Sequence, residues 1–495
     1  MLWECVSILA FAGISVILIL EVFRRPKNFP PGPSRIWSTM AQFKKNPLGA
    51  LMLCKEKYGP VVGLKIGEFR VVILNDPADI TKAFGNKSLN SRPPFLPAMI
   101  YVGGENHGTL TSSDEVWKAV RNCMVKSMGS LHTSPINGEA SLTLSHDMEP
   151  LKELLERLSN PVSKEKLSLA ELRSKLYIPI ANHVWHVLTG EEIPEENKAG
   201  LQQQLVALQK ALWQPISSPV WFLPTSAKRL PSTRTLLQEI KKAVDPLHAM
   251  VEEMVQETQK NGDDDSKTFS QAFLRGCRSY PCLRGYEAVH LKGAFFTLWH
   301  TAAETVGNLM AWTILWLSLY PEVQRKLAQE LGQTDILDLM SLPYARAVIQ
   351  EVLRLSSTAP FANFHWSVED YKLGNGMVIP KGTVVIGNLF GVHHDPSVWP
   401  DVEVFRPERF LENEGGEENR AKVLLPFSAG LRTCPGQNFA RNFILYALSQ
   451  VLKDFQFSWD PQQARPTPEE IMDKSLVSIF RFVPDFKIVV RKREE

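Results

Sequence analysis

One cysteine, Cys434, lies in a loop whose residue types suit a buried thiolate. The loop reads F-S-A-G-L-R-T-C-P-G, and four of its positions match a fixed pattern around the cysteine: Phe427, Gly430, Arg432 and Gly436. Glycines let the backbone turn so that amide N–H groups point at the sulfur, and the arginine is placed to neutralise an anion such as a porphyrin propionate. A structural cysteine in a turn would explain Cys434 alone, but the whole pattern favours a thiolate ligand of haem iron.

Trp117 and Arg121 are one helical turn apart in a segment with an amphipathic pattern. Residues at i and i+4 share a helix face, and both side chains can donate hydrogen bonds to a carboxylate. A packed tryptophan beside a solvated arginine is the alternative. Because the cysteine loop is present in the same chain, the pair is favoured as donors to a haem propionate.

An acid and a hydroxyl, Glu304 and Thr305, lie in a segment that is apolar almost all round, residues 291–316. A helix with this pattern must be buried. A charge inside it is costly unless it is paired or functional, so this pair is a candidate functional site.

Several segments together resemble one family over nearly the whole chain. In order, these are an apolar amino terminus, a proline-rich segment, W-x-x-x-R, A-A-E-T, E-x-x-R, P-E-R-F and the cysteine loop. They resemble cytochrome P450, in particular the animal microsomal branch that oxidises steroids, fatty acids and foreign compounds. The resemblance implies a mainly α fold with small β sheets. It also implies a buried charge triad of Glu351, Arg354 and Arg409 that braces the cysteine loop.

The resemblance further implies a haem b site with Cys434 as the axial metal ligand. The cofactor-binding residues would be Cys434, Arg432, Trp117, Arg121, His365, Phe427 and Gly436. Thr305 and Glu304 would be catalytic, through proton delivery on the distal side of the haem. Phe364 stands where the family has a proline before the histidine. No propionate-binding arginine is found between Pro93 and Glu115.

Two departures from the family pattern lie in the buried helix. Ala302 stands where glycine is usual, and Thr301 stands where a small apolar residue usually faces the haem. Thr301 is one turn before Thr305, so the pocket is predicted to be narrower and more polar. His300 is either a satisfied histidine on the helix flank or a substrate contact.

Hydrophobic periodicity predicts long helices and a few short β segments. The predicted helices cover residues 114–128, 148–158, 168–190, 198–213, 232–259, 284–319 and 343–356. Two paired strands are predicted over 60–75, β structure over 376–390 and a closing hairpin over 475–492. Residues 213–231 mix aromatics, prolines and cations, which suits either a membrane interface or core packing. The resemblance favours an interface loop that admits lipophilic substrates.

Residues 1–23 form an apolar run followed by Arg24, Arg25 and Lys27. The run is long enough to span a bilayer, and the cations on its carboxyl side predict a cytosolic body. A cleaved signal peptide is the weaker alternative, because the charge follows the run and no small-residue cleavage site is evident. Residues 24–34 would be a basic, proline-rich hinge, and 35–495 a catalytic domain at the endoplasmic reticulum membrane.

Composition narrows the classes of function. The 495 residues carry a net charge of +2, with basic residues interspersed among acids, which argues against a nucleic-acid partner. Six scattered cysteines exclude a disulfide framework.

The resemblance implies a monooxygenase that inserts one atom of O2 into a steroid, fatty acid or xenobiotic. Electrons would come from NADPH through a reductase, with cytochrome b5 as a second candidate donor. Four basic residues either dock this reductase or are scattered solvated charges: Lys118, Lys126, Lys422 and Arg441. The alternatives are a haem-thiolate isomerase or dehydratase that rearranges hydroperoxides without a reductase, and a haem protein that senses or carries a ligand. The Glu304–Thr305 pair argues against the isomerase.

Overall fold

The computed structural model describes most of the chain, namely residues 26–33, 42–66, 69–104, 106–132, 146–163, 165–215, 231–260, 268–333, 339, 341–411, 420 and 422–493. The predicted anchor at 1–23 lies outside these residues, as does most of the predicted interface loop at 213–231. Within the part of the chain that the structure describes, every helix is too short or too polar to cross a membrane.

Helices dominate the described residues, as predicted. Their bounds are α1 Pro47–Tyr58, α2 Pro77–Phe84, α3 Leu96–Val102, α4 Asp114–His132, α5 Glu149–Ser159, α6 Leu169–Lys175, α7 Tyr177–Thr189, α8 Glu195–Leu212, α9 Pro231–Lys260, α10 Phe269–Arg278, α11 Glu287–Leu319, α12 Pro321–Gly332, α13 Pro343–Ser356, α14 Leu389–His393, α15 Gln437–Leu452 and α16 Pro468–Lys474. The predicted helix at 168–190 is divided at Leu176 into α6 and α7.

The described strands form three small sheets. The strands are β1 Val61–Ile66, β2 Phe69–Leu74, β3 Leu167–Ser168, β4 His365–Trp366, β5 Tyr371–Lys372, β6 Val378–Ile379, β7 Thr383–Gly387, β8 Phe455–Trp459 and β9 Lys487–Lys492. The largest sheet has the order β1-β2-β7-β4, the second β3-β9-β8, and the third pairs β5 with β6. The predicted antiparallel pairing of β1 and β2 is confirmed, with Val61 opposite Leu74.

The closing hairpin predicted over 475–492 is wrong. The strand β9 pairs with β8 and β3 rather than with the preceding segment. That preceding segment contains a single antiparallel bridge between Val477 and Arg481. The reason is that Pro484 cannot donate to a ladder, so the chain leaves the bridge and joins a different sheet.

The long helix α11 runs through the largest hydrophobic cluster. It is apolar on nearly all sides, so burial on every face is the stable arrangement. The acidic Glu287 in its first turn suits the positive end of the helix dipole, and Pro321 prevents its continuation. The half of α11 from Val306 to Leu319 is entirely buried, which fixes the other half relative to the surrounding helices.

The proline-rich segment packs against the outer edge of the largest sheet. The amide N–H of Gly63, in β1, donates to the carbonyl oxygen of Pro31 at 2.7 Å. A Cβ on Gly63 would lie 2.5 Å from both the Phe29 ring and the Pro30 carbonyl oxygen. Glycine is therefore required for this close approach.

Candidate active site

The cysteine loop is seated against the end of α2. Gly430 has φ +71°, and a Cβ on it would lie 2.2 Å from the carbonyl carbon and oxygen of Phe84. Glycine is therefore required at this position. Gly436 has φ −90° and open space where a Cβ would stand. The described protein atoms therefore require glycine at Gly430, whereas the role of Gly436 stays a prediction.

Hydrogen bonds orient Cys434 at the start of α15. Its amide N–H donates to the carbonyl oxygen of Phe427 at 3.0 Å, and the N–H of Gly436 points at its sulfur. Burial raises the pKa of the thiol, while the Gly436 N–H, Arg121 and Arg441 oppose the rise. Cys434 keeps accessible surface although its sulfur lies deep in the protein, so this surface opens onto an internal space. A metal cation there would deprotonate the thiol.

Arg432 connects the cysteine loop to the segment before α4. Its Nε–H donates to the carbonyl oxygen of Asn90. Its Nη1 and Nη2 donate to the carbonyl oxygens of Thr109 and Ser112 at 3.0 and 2.6 Å. Its guanidinium lies 4.6 Å from the ring centroid of Trp117. The structure therefore brings together two residues that were predicted from separate motifs.

Arg121 and His365 approach the same region from α4 and β4. Arg121 Nη2 donates to the carbonyl oxygen of Thr433 at 2.6 Å. The His365 ring stacks on Phe84 with 3.7 Å between centroids, and its Nδ1 lies 2.7 Å from the Leu89 carbonyl oxygen. His365 Nε2 is buried and has no hydrogen-bond partner in the described part of the chain. It is thus available to a ligand.

Arg92 was overlooked by the sequence analysis, because the range from Pro93 to Glu115 begins one residue after it. Arg92 Nη1 donates to the carbonyl oxygen of Phe364 at 2.7 Å. Its Nε is buried without a partner among the described residues. The signal in the sequence was a cation next to the region where the family pattern places a propionate-binding arginine.

The cations of this region repel one another. Burial, followed by repulsion from Arg121, lowers the pKa of Arg92 to about 9. Burial, followed by repulsion from Arg92 and Arg121, lowers the pKa of Arg432 to about 7, and Asp114 opposes this only as the smallest influence. Burial, then Arg92 and Arg432, hold the pKa of His365 well below its ordinary value. Buried cations with unused polar atoms fit a ligand that carries carboxylates, such as the two propionates of haem.

One face of α11 is partly accessible in the part of the helix that precedes Val306. Thr301 and Thr305 are half-buried and lie on this face. The Thr305 hydroxyl donates to the carbonyl oxygen of Thr301 at 2.7 Å. Ala302, beside them, is also half-buried.

Glu304 is buried away from this face. Its Oε2 accepts a hydrogen bond from the Tyr177 hydroxyl at 3.0 Å, and its Oε1 accepts from Gln209 Nε2 at 3.3 Å. Burial raises the pKa of this carboxyl, against the smaller opposing effect of Arg173. The indole N–H of Trp213 approaches the carboxyl and also lowers its pKa, although it makes no well-aligned hydrogen bond. The acid is therefore held between α7, α8 and α11.

His300 is a satisfied core histidine, as one of the two alternatives predicted. It is 1% exposed, and its Nδ1 lies 2.7 Å from the Tyr101 hydroxyl of α3. Its ring stacks on Phe296 with 5.7 Å between centroids, and burial lowers its pKa to about 3. His248 Nε2 contacts the Tyr101 carbonyl oxygen at 2.9 Å, so two histidines attach α3 to α11 and α9.

The predicted charge triad is confirmed. Arg354 Nε and Nη2 each donate to a Glu351 oxygen at 2.8 Å, and Arg409 Nε donates to Glu351 Oε1 at 3.0 Å. All three side chains are fully buried. The remaining guanidinium donors bind backbone carbonyls, including those of His393 and Pro400. The triad therefore fixes the chain that leads into the cysteine loop.

Comparison with known proteins identifies the family. The family model for Cytochrome P450 matches residues 30–479, which is most of the chain. The chain belongs to the cytochrome P450 family. It is 28% identical over 475 residues to Cytochrome P450 2J5 of Mus musculus, covering 92% of this chain and 91% of the relative. It is 27% identical over 481 residues to Cytochrome P450 1A1 of Sparus aurata, covering 92% and 91%.

A further relative carries a name that states a reaction. The chain is 27% identical over 518 residues to Farnesoate epoxidase of Bombyx mori, covering 98% of this chain and 99% of the relative. The predicted resemblance to animal microsomal cytochromes P450 is confirmed by these relatives. The chain is accordingly a cytochrome P450 monooxygenase with the mainly α fold of that family, and the family implies a haem-thiolate cofactor.

Proposed function

We propose that this cytochrome P450 inserts one atom of O2 into a lipophilic steroid, fatty acid or xenobiotic, using electrons from NADPH delivered by a reductase. The observation that carries the proposal is the arrangement around Cys434, where an oriented sulfur opens onto an internal space beside a buried group of cations. Haem bound there would supply the chemistry of O2 activation. Cys434 is the proposed iron ligand.

The surrounding residues have distinct proposed roles in holding the cofactor. The Gly436 N–H and Arg441 would stabilise negative charge on the Cys434 sulfur, since both lower its pKa. The Phe427 ring lies 4.7 Å from the Arg441 guanidinium, and the Phe427 carbonyl oxygen accepts the amide hydrogen bond of Cys434. These contacts would fix the loop and favour the thiolate form of the sulfur.

The propionates would be bound by five residues that we call the cation cluster: Arg92, Trp117, Arg121, His365 and Arg432. Trp117 is the uncharged member, and its ring packs against the Arg432 guanidinium. Its indole N–H can donate a hydrogen bond to a propionate. A carboxylate beside His365 would raise the pKa of that histidine, so that Nε2 becomes a donor. The cluster thus gains its counter-charge from the ligand.

Proton delivery is assigned to Thr305 and Glu304. The Thr305 hydroxyl lies on the accessible face of α11 and can hold a proton or water at the reacting centre. The Glu304 carboxyl accepts hydrogen bonds from Tyr177 and Gln209 on the buried side of α11, so its part in proton delivery would be indirect. A raised pKa suits it to proton exchange.

The proximal surface supports docking of an acidic reductase, with cytochrome b5 as a second electron donor. Lys118, Lys126 and Lys422 are exposed. A cavity of about 230 Å³ between α13 and α15 is lined by Arg346 and Arg441, together with Ile349, Gln350 and Leu445. Burial, followed by repulsion from Arg346, lowers the pKa of Arg441, and an acidic side chain from a partner would relieve the repulsion.

Membrane attachment at the endoplasmic reticulum is proposed on the apolar run at 1–23 and the cations that follow it. A lipophilic substrate would enter from that membrane. The relatives are animal microsomal proteins, and one is named for epoxidation of farnesoate. These similarities support a lipophilic substrate without selecting one.

Labelled dioxygen tests the proposed reaction. The purified full chain, reductase and NADPH would be incubated under ¹⁸O2 with a mixed pool of steroids, fatty acids and xenobiotics, and mass spectrometry would detect products. Products with one labelled oxygen are expected, and omission of reductase should abolish them. Unlabelled rearrangement of added hydroperoxides without reductase would overturn the proposal in favour of an isomerase.

A further inference from the structure

Three threonines form a row on α11. Thr297, Thr301 and Thr305 are spaced by four residues, so they lie on one helix face, and all three are half-buried. Each hydroxyl donates to the carbonyl oxygen four residues earlier, at 2.7 Å for Thr297, 2.5 Å for Thr301 and 2.7 Å for Thr305. We call these residues the threonine row.

The hydrogen bonds within the helix decide what the row offers to a ligand. A hydroxyl has one donor and two acceptor lone pairs. Because each donor is used inside α11, the atoms left for a ligand are oxygen lone pairs. The row therefore presents acceptors to the accessible space beside it, at intervals of about 6 Å along the helix.

The helix residues that flank the row are apolar. Leu298 and Ala302 flank it and are also half-buried. At its amino-terminal end the row meets a close crossing of chains, since a Cβ on Gly293 would lie 2.7 Å from the amide nitrogen of Gly108. The row is therefore a strip of acceptors on an apolar surface that is closed at one end.

We propose that the threonine row selects lipophilic substrates that carry a hydroxyl group, and that this hydroxyl donates a hydrogen bond to Thr301 or Thr297. The inference rests on the proposed function only in taking this face of α11 as the one that meets the substrate. A ketone or an ether at the same position would place its oxygen, which is an acceptor, against the acceptor oxygen of a threonine. Its hydrogen bonds to water would be lost and no hydrogen bond to the protein would replace them. Alcohols should therefore bind more tightly than matched ketones or ethers.

Binding to matched probes tests the selection. Two pairs differ in the donor: androsterone with androstanedione, and dodecanol with its methyl ether. Affinities would be measured on the haem-loaded full chain by equilibrium dialysis, with the shift of the haem absorbance band as a second readout. One hydrogen bond from the alcohol to a threonine of the row should strengthen binding. At least one alcohol is therefore expected to bind about 3- to 10-fold more tightly than the matched ketone or ether.

Valine variants identify the residues responsible. Thr301→Val and Thr297→Val remove the acceptor with little change in volume, and at least one should reduce the alcohol preference to within about twofold. Thr313→Val is the matched control, since Thr313 makes the same bond to Leu309 at 2.8 Å but is fully buried. The preference should survive in that control.

The outcomes separate this inference from the proposed function. Alcohol preference that depends on the row, in a protein that oxidises nothing, would support the inference and count against the monooxygenase reaction. Oxidation without any alcohol preference would overturn the inference alone. A preference that persists in both row variants, or failure of both alcohols to bind while the haem spectrum is intact, would also overturn it.

Discussion

Replacing Arg92 by leucine should weaken haem binding without destabilising the haem-free protein. In the haem-loaded protein, Arg92 is proposed to donate to a propionate. A charge-assisted hydrogen bond of this kind contributes about 1.5–3 kcal/mol. Its loss should weaken haem binding by about 10- to 150-fold.

The haem-free protein should not be destabilised to a similar extent. Burial and Arg121 lower the pKa of Arg92 from 12.5 to about 9, so the charged form opposes folding at every pH below about 9. Leucine removes that unfavourable charge, and the loss of the hydrogen bond to Phe364 offsets part of the gain. We expect the free energy of unfolding of the haem-free protein to be unchanged or higher.

Two measurements check this prediction. Transfer of haem to excess apomyoglobin, followed by absorbance, gives the rate of haem loss. Urea unfolding of the haem-free protein gives its stability. Arg157→Leu is the matched control, because Arg157 forms an exposed ion pair with Glu165 and should change neither quantity appreciably. Unchanged haem loss in Arg92→Leu, or equal destabilisation of both forms, would refute a propionate-binding role.

Four further outcomes are expected. Cys434→Ala should lose the thiolate-type haem spectrum and the activity together, as measured by the absorbance of the carbon monoxide complex. Thr305→Ala should consume more NADPH per molecule of product, measured by comparing the two rates. Glu351→Gln should lower the free energy of unfolding by about 3–5 kcal/mol, because it leaves Arg354 and a second buried arginine without their counter-charge. Burial raises the pKa of Glu304 above 4.5, so its contribution to stability is full below pH 4.5 and is lost as the pH rises through the raised value. Glu304→Gln should remove this decline in urea unfolding.

Controls for these variants are available in the same chain. Cys282 is exposed, so Cys282→Ala should keep the spectrum, and a thiolate spectrum retained in Cys434→Ala would contradict the ligand assignment. Glu408→Gln removes a partly exposed ion pair with Lys326 and should cost less than about 1 kcal/mol. An equally small cost for Glu351→Gln would contradict the triad's structural role. Unaltered coupling in Thr305→Ala, or an unaltered pH profile in Glu304→Gln, would remove those two assignments.

Elements with a strong local pattern were predictable from the sequence. The helix α13 is predicted with its bounds correct, Pro343–Ser356, because proline begins it and its apolar residues recur at helical spacing. The pairing of Glu351, Arg354 and Arg409 was predicted from the family resemblance, and the contacts confirm it.

Features that depend on long-range packing were not predictable. Nothing local in the strand β9 shows that it pairs with β8 instead of the segment before it, since strand partners are chosen by the sheet as a whole. Arg92 is similar, because its importance comes from Arg121 and Arg432, which are distant in sequence and close in space. The orientation of Glu304 towards α7 and α8 likewise depends on helix positions that periodicity does not give.

The contact between Gly63 and the proline-rich segment would join the proposed membrane anchor to the proposed haem site through the four-stranded sheet. Pro31 binds β1 at one edge of the four-stranded sheet, and His365 lies on β4 at the other edge. A force on the predicted anchor would therefore be transmitted through the strands of the sheet, because the proline-rich segment is bonded to β1. A shortened chain made for expression without a membrane should retain residues from Pro26 onwards, because removing the segment would expose the edge of β1 and leave a groove over Gly63.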